Sequence, residues 1–262
     1  MLKRIAYLLL SLLLVVFMVG SRPQGPRNIV AIFAHADDET GIAPVLAKYA
    51  ENNNVYLVIA TDGRYGFTEH AGIEDEEVLI AVRAEEAQCS SEKLGINPPI
   101  LLGFHDGLGL RDDIGAYFSQ VYELREQLQT VLATTEPDVI ITYGPDGETG
   151  HPDHRLIGAV TTEVLLRQVW PKTPELYYFS WSKEQAARFE SLNLHYVDQT
   201  HLDTVIEFSP EQEAKAFEAI RCYTSQFTPT EMDEWIAIEN QDTTNHLSFR
   251  RMAQRLWRRR DF

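Results

Sequence analysis

Between residues 28 and 180 the chain repeats one pattern: a short, unbroken apolar run, then a stretch long enough for a helix. The apolar runs cover residues 29–34, 55–60, 100–104, 139–143 and 176–179. A strand that is apolar without alternation must be covered on both faces, which is the situation inside a parallel sheet. Helical sequence fills 39–51, 74–94, 115–134 and 153–169. Gly63 and Gly95 punctuate element ends, and Pro98, Pro99 and Pro137 stand before strands, where they stop a helix. Strands separated by helices of this length build βαβ units, so the expected class is α/β, Rossmann-like, with a mostly parallel sheet and helices on both faces. Further on, the sequence predicts a strand over 204–208, a helix over 210–223 that starts on Ser209, and a last, basic, exposed helix over roughly 246–259. No repeat and no linker interrupts the chain after residue 27, so 28–262 reads as one domain, large enough for a full core.

The first 27 residues read differently. Lys3 and Arg4 precede an apolar run through residue 20, softened only by Tyr7 and Ser11, and a polar breaker stretch follows over 22–26. The run is slightly long for a signal-peptide core and slightly short for a spanning helix. It is read as an export signal or an uncleaved membrane anchor, and the positive start favours a catalytic domain outside the cytoplasm. Membrane contact is expected only through this segment. Cys89 and Cys222 lie far apart and in no metal-binding spacing, so they read as two ordinary buried or half-buried thiols. Their pairing is a question for the fold. Asp and Glu number 39 against 23 Lys and Arg, a net charge of -16. Such a chain is repelled by phosphate backbones, so nucleic acid is excluded as a partner and a small molecule is expected.

Two motifs carry chemistry. His35-Ala36-Asp37-Asp38-Glu39 follows the first strand directly, and in open α/β sheets ligands bind beyond the carboxyl ends of strands. A His and three acidic residues at a buried strand end are costly unless something pairs with them. A divalent cation would do so. His35 and Asp38, three apart, suit one metal, and zinc accepts mixed nitrogen and oxygen ligands. Asp37 beside it has the chemistry of a general base. The plain alternative is an acidic helix start that complements the helix dipole. Paired aspartates in this place also hold magnesium in phosphoacceptor receiver domains. That reading needs a further Asp, for which Asp106 would serve, and a Lys after a later strand. No Lys ends the 139–143 run.

The second motif, Gly150-His151-Pro152-Asp153-His154, follows the fourth apolar run and again precedes a helix. His154 completes a His-Asp-His set with His35 and Asp38, and three protein ligands with an open fourth position is the pattern of catalytic zinc. His151 then stands near the metal as a group that stabilises an oxyanion and protonates a leaving amine. Asp153 is expected to orient His151 and raise its pKa. A capped helix start with surface histidines is the alternative for this motif taken alone.

With both motifs in view, the chain resembles the LmbE-like, or PIG-L, zinc-dependent deacetylases, whose pattern is His-Pro-Asp-Asp-Glu and later His-Pro-Asp-His. Ala36 replaces the first proline; the second motif matches in full. Thr61-Asp62-Gly63, Arg83-Ala84-Glu85-Glu86 and Leu102 to Gly107 are weaker family features, and the likeness covers about residues 28–180. The resemblance implies one zinc or iron(II) per chain on His35, Asp38 and His154. It makes Asp37 the base and His151, supported by Asp153, the group that stabilises the tetrahedral intermediate. It puts Arg83 and Asp106 in contact with the sugar. For these two the plain readings are a surface ion pair with Glu86 and a turn before Gly107. Some members carry a Tyr where Thr149 stands. The activity implied is removal of an N-acetyl group from an amino sugar such as a GlcNAc derivative; the alternatives are an amidase on a thiol-sugar conjugate and an inactive binding protein of the same fold. Tyr65, Phe67 and Trp181 are candidates for an apolar rim, and His105 is the remaining His best placed to line a pocket.

Overall fold

The computed structural model describes residues 25–108, 113–189, 192–242 and 244–252. The apolar run before residue 21 and the tail beyond residue 252 lie outside them. No helix among the described residues is long and apolar enough to cross a membrane.

Seven strands form one sheet: β1 (Asn28–Phe33), β2 (Asn54–Thr61), β3 (Ile100–Phe104), β4 (Val139–Tyr143), β5 (Glu175–Phe179), β6 (Thr204–Glu207) and β7 (His246–Arg251). Their order is β3-β2-β1-β4-β5-β7-β6. The first five in that order are parallel; β7 runs antiparallel to both β5 and β6. The helices are α1 (Ala43–Ala50), α2 (Glu76–Leu94), α3 (Ile114–Thr135), α4 (Pro152–Arg167), α5 (Lys183–Ala186), α6 (Pro210–Ile220) and α7 (Pro229–Glu239).

The apolar runs inside the sheet are strands because both of their faces are covered; β3, at the edge, leaves Leu101 45% exposed. Ile29, Ala31 and Phe33 point into one core with Leu46 of α1, Ala87 and Leu94 of α2, and Ala219 of α6. Val30, Ile32 and Ala34 point the other way, onto Leu124, Leu128 and Leu132 of α3 and Ile157 and Val160 of α4. Leucines four apart on α3 make one apolar face, as helix geometry requires. The result is the three-layer α/β sandwich expected from the sequence.

Four features depart from expectation. Residues 246–251 form a strand where a helix was expected: Leu247 and Phe249 alternate inward at 7% and 0% exposure, and Phe249 pairs with Phe179. Basic composition masked a period of two. The first helical stretch is split, with a 3-10 turn over Asp38–Ile42 before α1. Helix α7 adds an element beyond those expected: Thr228 and Glu231 form a capping box, with Pro229 in the first turn. Cys89 and Cys222 are joined in a disulfide rather than free. In the chain-entropy treatment, closing a loop of 133 residues stabilises by about 5 kcal/mol.

One close approach ties the sheet to the motif helix. Gly158 of α4 lies against the backbone carbonyl of Tyr143, so a Cβ there would overlap the oxygen. Gly158→Ala must push α4 off β4, and overpacking of this kind costs about 1–3 kcal/mol. Urea denaturation should show that loss; a midpoint equal to wild type would contradict the packing described.

Candidate active site

The chain leaves β1 toward β2 on one side, while β4 leads to β5 on the other. Between the carboxyl ends of β1 and β4 lies the switch point at which such sheets bind ligands. Residues 34–40 and 144–154 both enter it.

Asp38 organises the first loop. Its Oδ2 accepts the backbone N–H groups of Ala34, at 3.0 Å, and His35, at 2.7 Å, which curls the loop back on the strand. Its Oδ1 lies 3.2 Å from His154 Nε2. His35 Nδ1 lies 3.3 Å from His154 Nε2 and 3.6 Å from Asp38 Oδ2. An ion with ligand bonds of about 2.0–2.1 Å in tetrahedral geometry separates its ligands by about 3.3 Å. The spacings from His154 Nε2 to Asp38 Oδ1 and to His35 Nδ1 match that value, while the 3.6 Å separation runs from His35 to the other carboxylate oxygen, Oδ2.

The far nitrogens orient the rings. His154 Nδ1 donates to Gly147 O at 3.1 Å, and His35 Nε2 donates to Asp153 Oδ2 at 3.3 Å. In the neutral tautomers these bonds select, each ring keeps an unprotonated nitrogen toward the shared point. Tyr143, fully buried, stacks on His154 with ring centroids 4.2 Å apart and planes 6° apart. The charges fit a cation as well. Burial pushes the pKa of His35 down, but Asp38 and Asp153 more than offset it and hold it well above the usual value. His154 is raised too, with Asp38 and Glu148 opposing burial.

His151 precedes α4. Its Nδ1 accepts the Asp153 N–H at 3.2 Å, and its ring lies 4.9 Å from that of His35 and 5.1 Å from that of His154. The three histidines offer nitrogens within 4.8 Å of one another. The expected side-chain support of His151 by Asp153 does not form. Asp153 is fully buried, and its Oδ2 takes His35 and the Gly107 N–H, the latter at 2.7 Å. Residues two apart at a helix start face different ways, so Asp153 reaches the first loop and leaves His151 by the cavity. Burial, with His35 and His154 nearby, lowers the pKa of His151, opposite to expectation.

Asp37 is held in a left-handed conformation, φ 107° and ψ -24°, which costs a residue with a side chain about 1–3 kcal/mol. Its surroundings over-determine it. Its N–H donates to Glu39 Oε2 at 3.3 Å, and its carbonyl accepts from Thr40 N at 2.9 Å and Thr40 Oγ1 at 2.6 Å. Arg83 Nη2 donates to Ala36 O and lies 3.3 Å from Asp37 Oδ2. Burial pushes the Asp37 carboxyl up, against the pull of Arg83. The side chain makes no cap to the following turn, so helix capping does not explain this acidic cluster. Glu39 is fully buried: its Oε1 accepts from Ser90 Oγ and Tyr223 OH, both at 2.5 Å, and burial pushes it up to about 7.

Arg83 is no surface ion pair. It is 4% exposed, lies under Gly63, and has Glu86 at 3.9 Å. Asp106 accepts the N–H groups of Gly63, at 3.2 Å, and Tyr65, at 3.0 Å, and so fixes one wall of the cavity. That cavity, about 430 Å³, is lined by His35, Asp37, Tyr65, Arg83, Asp106 and His151 among others. Gln226 also lines it and donates to Gly66 O at 2.8 Å. Of the other rim candidates, Trp181 is core, 2% exposed, and donates to Glu148 Oε1 at 3.2 Å; Phe67 and His105 face solvent outside the lining. Glu148 stands behind His154, its Oε2 3.7 Å from Nδ1. Glu148, Tyr143, Gln226 and Tyr223 carried no sequence signal. The last two lie far down the chain, and the first two are ordinary residues at a strand end and in a loop.

A family model described as PIG-L, GlcNAc-PI de-N-acetylase, matches residues 30–165 and takes in both histidine loops. The chain belongs to the PIG-L family. A PIG-L relative from Kineococcus radiotolerans, named 1D-myo-inositol 2-acetamido-2-deoxy-alpha-D-glucopyranoside deacetylase, is 30% identical over 164 residues, 54% of this chain and 45% of that protein. The chain thus spans about half the length of that relative. One of the same name from Mycobacterium sp. (strain JLS) is 26% identical over 247 residues, 82% of this chain and 79% of the relative. Among solved structures, N,N'-diacetylchitobiose deacetylase from Pyrococcus horikoshii superposes with a TM-score of 0.65 at 20% identity, covering 86% of this chain and 84% of its own. The 4-carboxy-2-hydroxymuconate hydratase of Pseudomonas putida does so at 0.62 and 17%, covering 90% and 100%. These likenesses establish the fold, on which more than one chemistry is built.

Asp153→Ala would leave the Gly107 N–H and His35 Nε2 without their buried acceptor, at a cost of about 1–3 kcal/mol. Chemical denaturation and amide exchange at Gly107 measure it; unchanged exchange there would remove Asp153 from this role.

Proposed function

We propose that this PIG-L member is a metal-dependent N-deacetylase that hydrolyses the acetamide of an amino sugar. The observation that carries the reading is the cluster of His35, Asp38 and His154, whose ring nitrogens and carboxylate oxygens lie 3.2–3.6 Å apart, at an open cavity beside Asp37. Its support on the substrate side is the relatives named for a 2-acetamido-2-deoxyglucopyranoside. His35, Asp38 and His154 hold the ion, zinc or iron(II). When bound, such an ion supplies Lewis acidity and brings the pKa of a coordinated water to about 7.

The chain's own groups do the rest. Asp37 receives a proton on its carboxylate, with Arg83 and Glu39 fixing its place. His151 has Nδ1 engaged as an acceptor, so Nε2 carries the proton it can give to the departing nitrogen. The same N–H stabilises charge developing on the acetyl oxygen. Arg83 and Asp106 form the wall that a sugar ring would meet. Export of the domain is part of this proposal, supported by the Cys89–Cys222 disulfide, since disulfides persist in oxidising compartments.

The zinc-loaded protein is expected to release acetate from a panel of N-acetyl amino sugars. Asp37→Ala should keep its zinc and lose about 10²–10⁴-fold in kcat. Acetate release by Asp37→Ala at the wild-type rate would refute the assigned base. His154→Ala and Asp38→Ala should instead lose zinc, read by metal analysis after dialysis against a chelator. Full zinc retention by either would remove it from the ligand set.

A further inference from the structure

The buried groups around Asp37 belong to a polar seam between α2 and the segment after α6. Three residues on one side of α2 face it: Arg83, Glu86 and Ser90, at 4%, 5% and 0% exposure. Arg83 holds Ala36 and Asp37. Glu86 accepts the Ser225 N–H at 2.6 Å and Ser225 Oγ at 2.7 Å. Ser90 and Tyr223 meet on a single oxygen, Glu39 Oε1, while Glu39 Oε2 takes the Asp37 N–H. A seam made of hydrogen bonds is sensitive to small separations, because each buried group that loses its partner is left unsatisfied.

The disulfide sits at this seam. Cys89 immediately precedes Ser90, and Cys222 immediately precedes Tyr223, so the covalent bond is one residue from each hydroxyl that grips Glu39. Both cysteines are half-buried and thus within reach of solvent.

We propose that the Cys89–Cys222 disulfide is a positioning element for Asp37: it locks α2 to the end of α6 so that Ser90 and Tyr223 hold Glu39, and Glu39 holds Asp37 in its left-handed conformation. The catalytic consequence rests on Asp37 being the base proposed above. Reduction by a dithiol transfers two electrons and two protons to the cystine, giving two thiols and the cyclic disulfide of the reagent. The seam then relies on its hydrogen bonds and on the apolar packing of Ala87 and Leu94 with Ala219, and Asp37 drifts from its place.

The test uses the full chain, loaded with zinc, at a temperature where circular dichroism reports it folded. Four proteins are compared: wild type, Tyr223→Phe, the pair Cys89→Ser and Cys222→Ser, and all three changes together. Wild type is also measured before and after dithiothreitol. Loss of the disulfide is expected to lower kcat about 10–100-fold with KM and zinc content little changed, the scale of a misplaced catalytic group. Amides 37–40 should exchange faster. Tyr223→Phe should lower kcat as well, and removing the disulfide in that background should add little, since groups acting through one contact are not additive. Wild-type kcat and exchange after reduction would overturn the proposal. So would independent, multiplying effects of the two changes, or exchange that rises throughout the protein rather than at 37–40. If oxidised wild type releases no acetate, the deacetylase reading fails on its own, and exchange at 37–40 still decides the role of the disulfide.

Discussion

Asp38 is a carboxylate with almost no access to water, facing two imidazoles, and the arrangement of the protein follows from making that burial tolerable. A buried charge must be paired and hydrogen-bonded. Two backbone N–H groups satisfy one of its oxygens, and the other faces His154. His154 arrives from a different part of the chain because β1 and β4 are parallel neighbours, with Ile29 beside Val139 and Ala31 beside Ile141. That register brings the two strand ends level. The contact of Gly158 with the Tyr143 carbonyl then sets how closely the helix carrying His154 approaches.

Around this centre each polar group answers a demand made by another. His35 needs an acceptor for its far nitrogen and takes Asp153. Asp153 in turn binds the backbone at Gly107, which joins the loop after β3 to the site. Asp37 needs external support for a strained backbone and has it from Glu39, Thr40 and Arg83. The support for Glu39 comes from Ser90 and Tyr223. The chain after residue 165, outside the family match, therefore lines the cavity with Gln226 and braces Glu39 and Glu86 with Tyr223 and Ser225.

Much of the fold was legible because strands of a parallel sheet are largely covered and read as unbroken apolar runs, so the five parallel strands announce themselves, and the run over 204–208 gave β6 as well. Strand β7, which lies between β5 and β6, did not announce itself. Its inward residues, Leu247 and Phe249, are interleaved with His246, Ser248 and Arg250, and a short alternation in a basic stretch passes for a helix face. The candidate site was legible in its residue types and spacing, since His35 and Asp38, or His151 and His154, are held at fixed offsets by the covalent chain. That the two pairs converge follows from motifs placed after strands of one parallel sheet.

Partnerships between distant residues were not legible. Whether Asp153 supports His151 or His35 depends on the direction in which the first turn of α4 points, and that direction is set by packing on β4. Arg83 reads equally well as a surface ion pair and as a buried brace until α2 is laid against the first loop. Cys89 and Cys222 are 133 residues apart, and nothing local foretells that α2 and the end of α6 lie side by side. The sequence by itself determined the parallel part of the sheet, the two loops and the chemical character of the groups they carry, because apolar periodicity and short offsets are local properties of the chain. Only the tertiary structure decided which buried polar group satisfies which, because in a close-packed interior those choices are settled by helix orientation and register rather than by distance along the sequence.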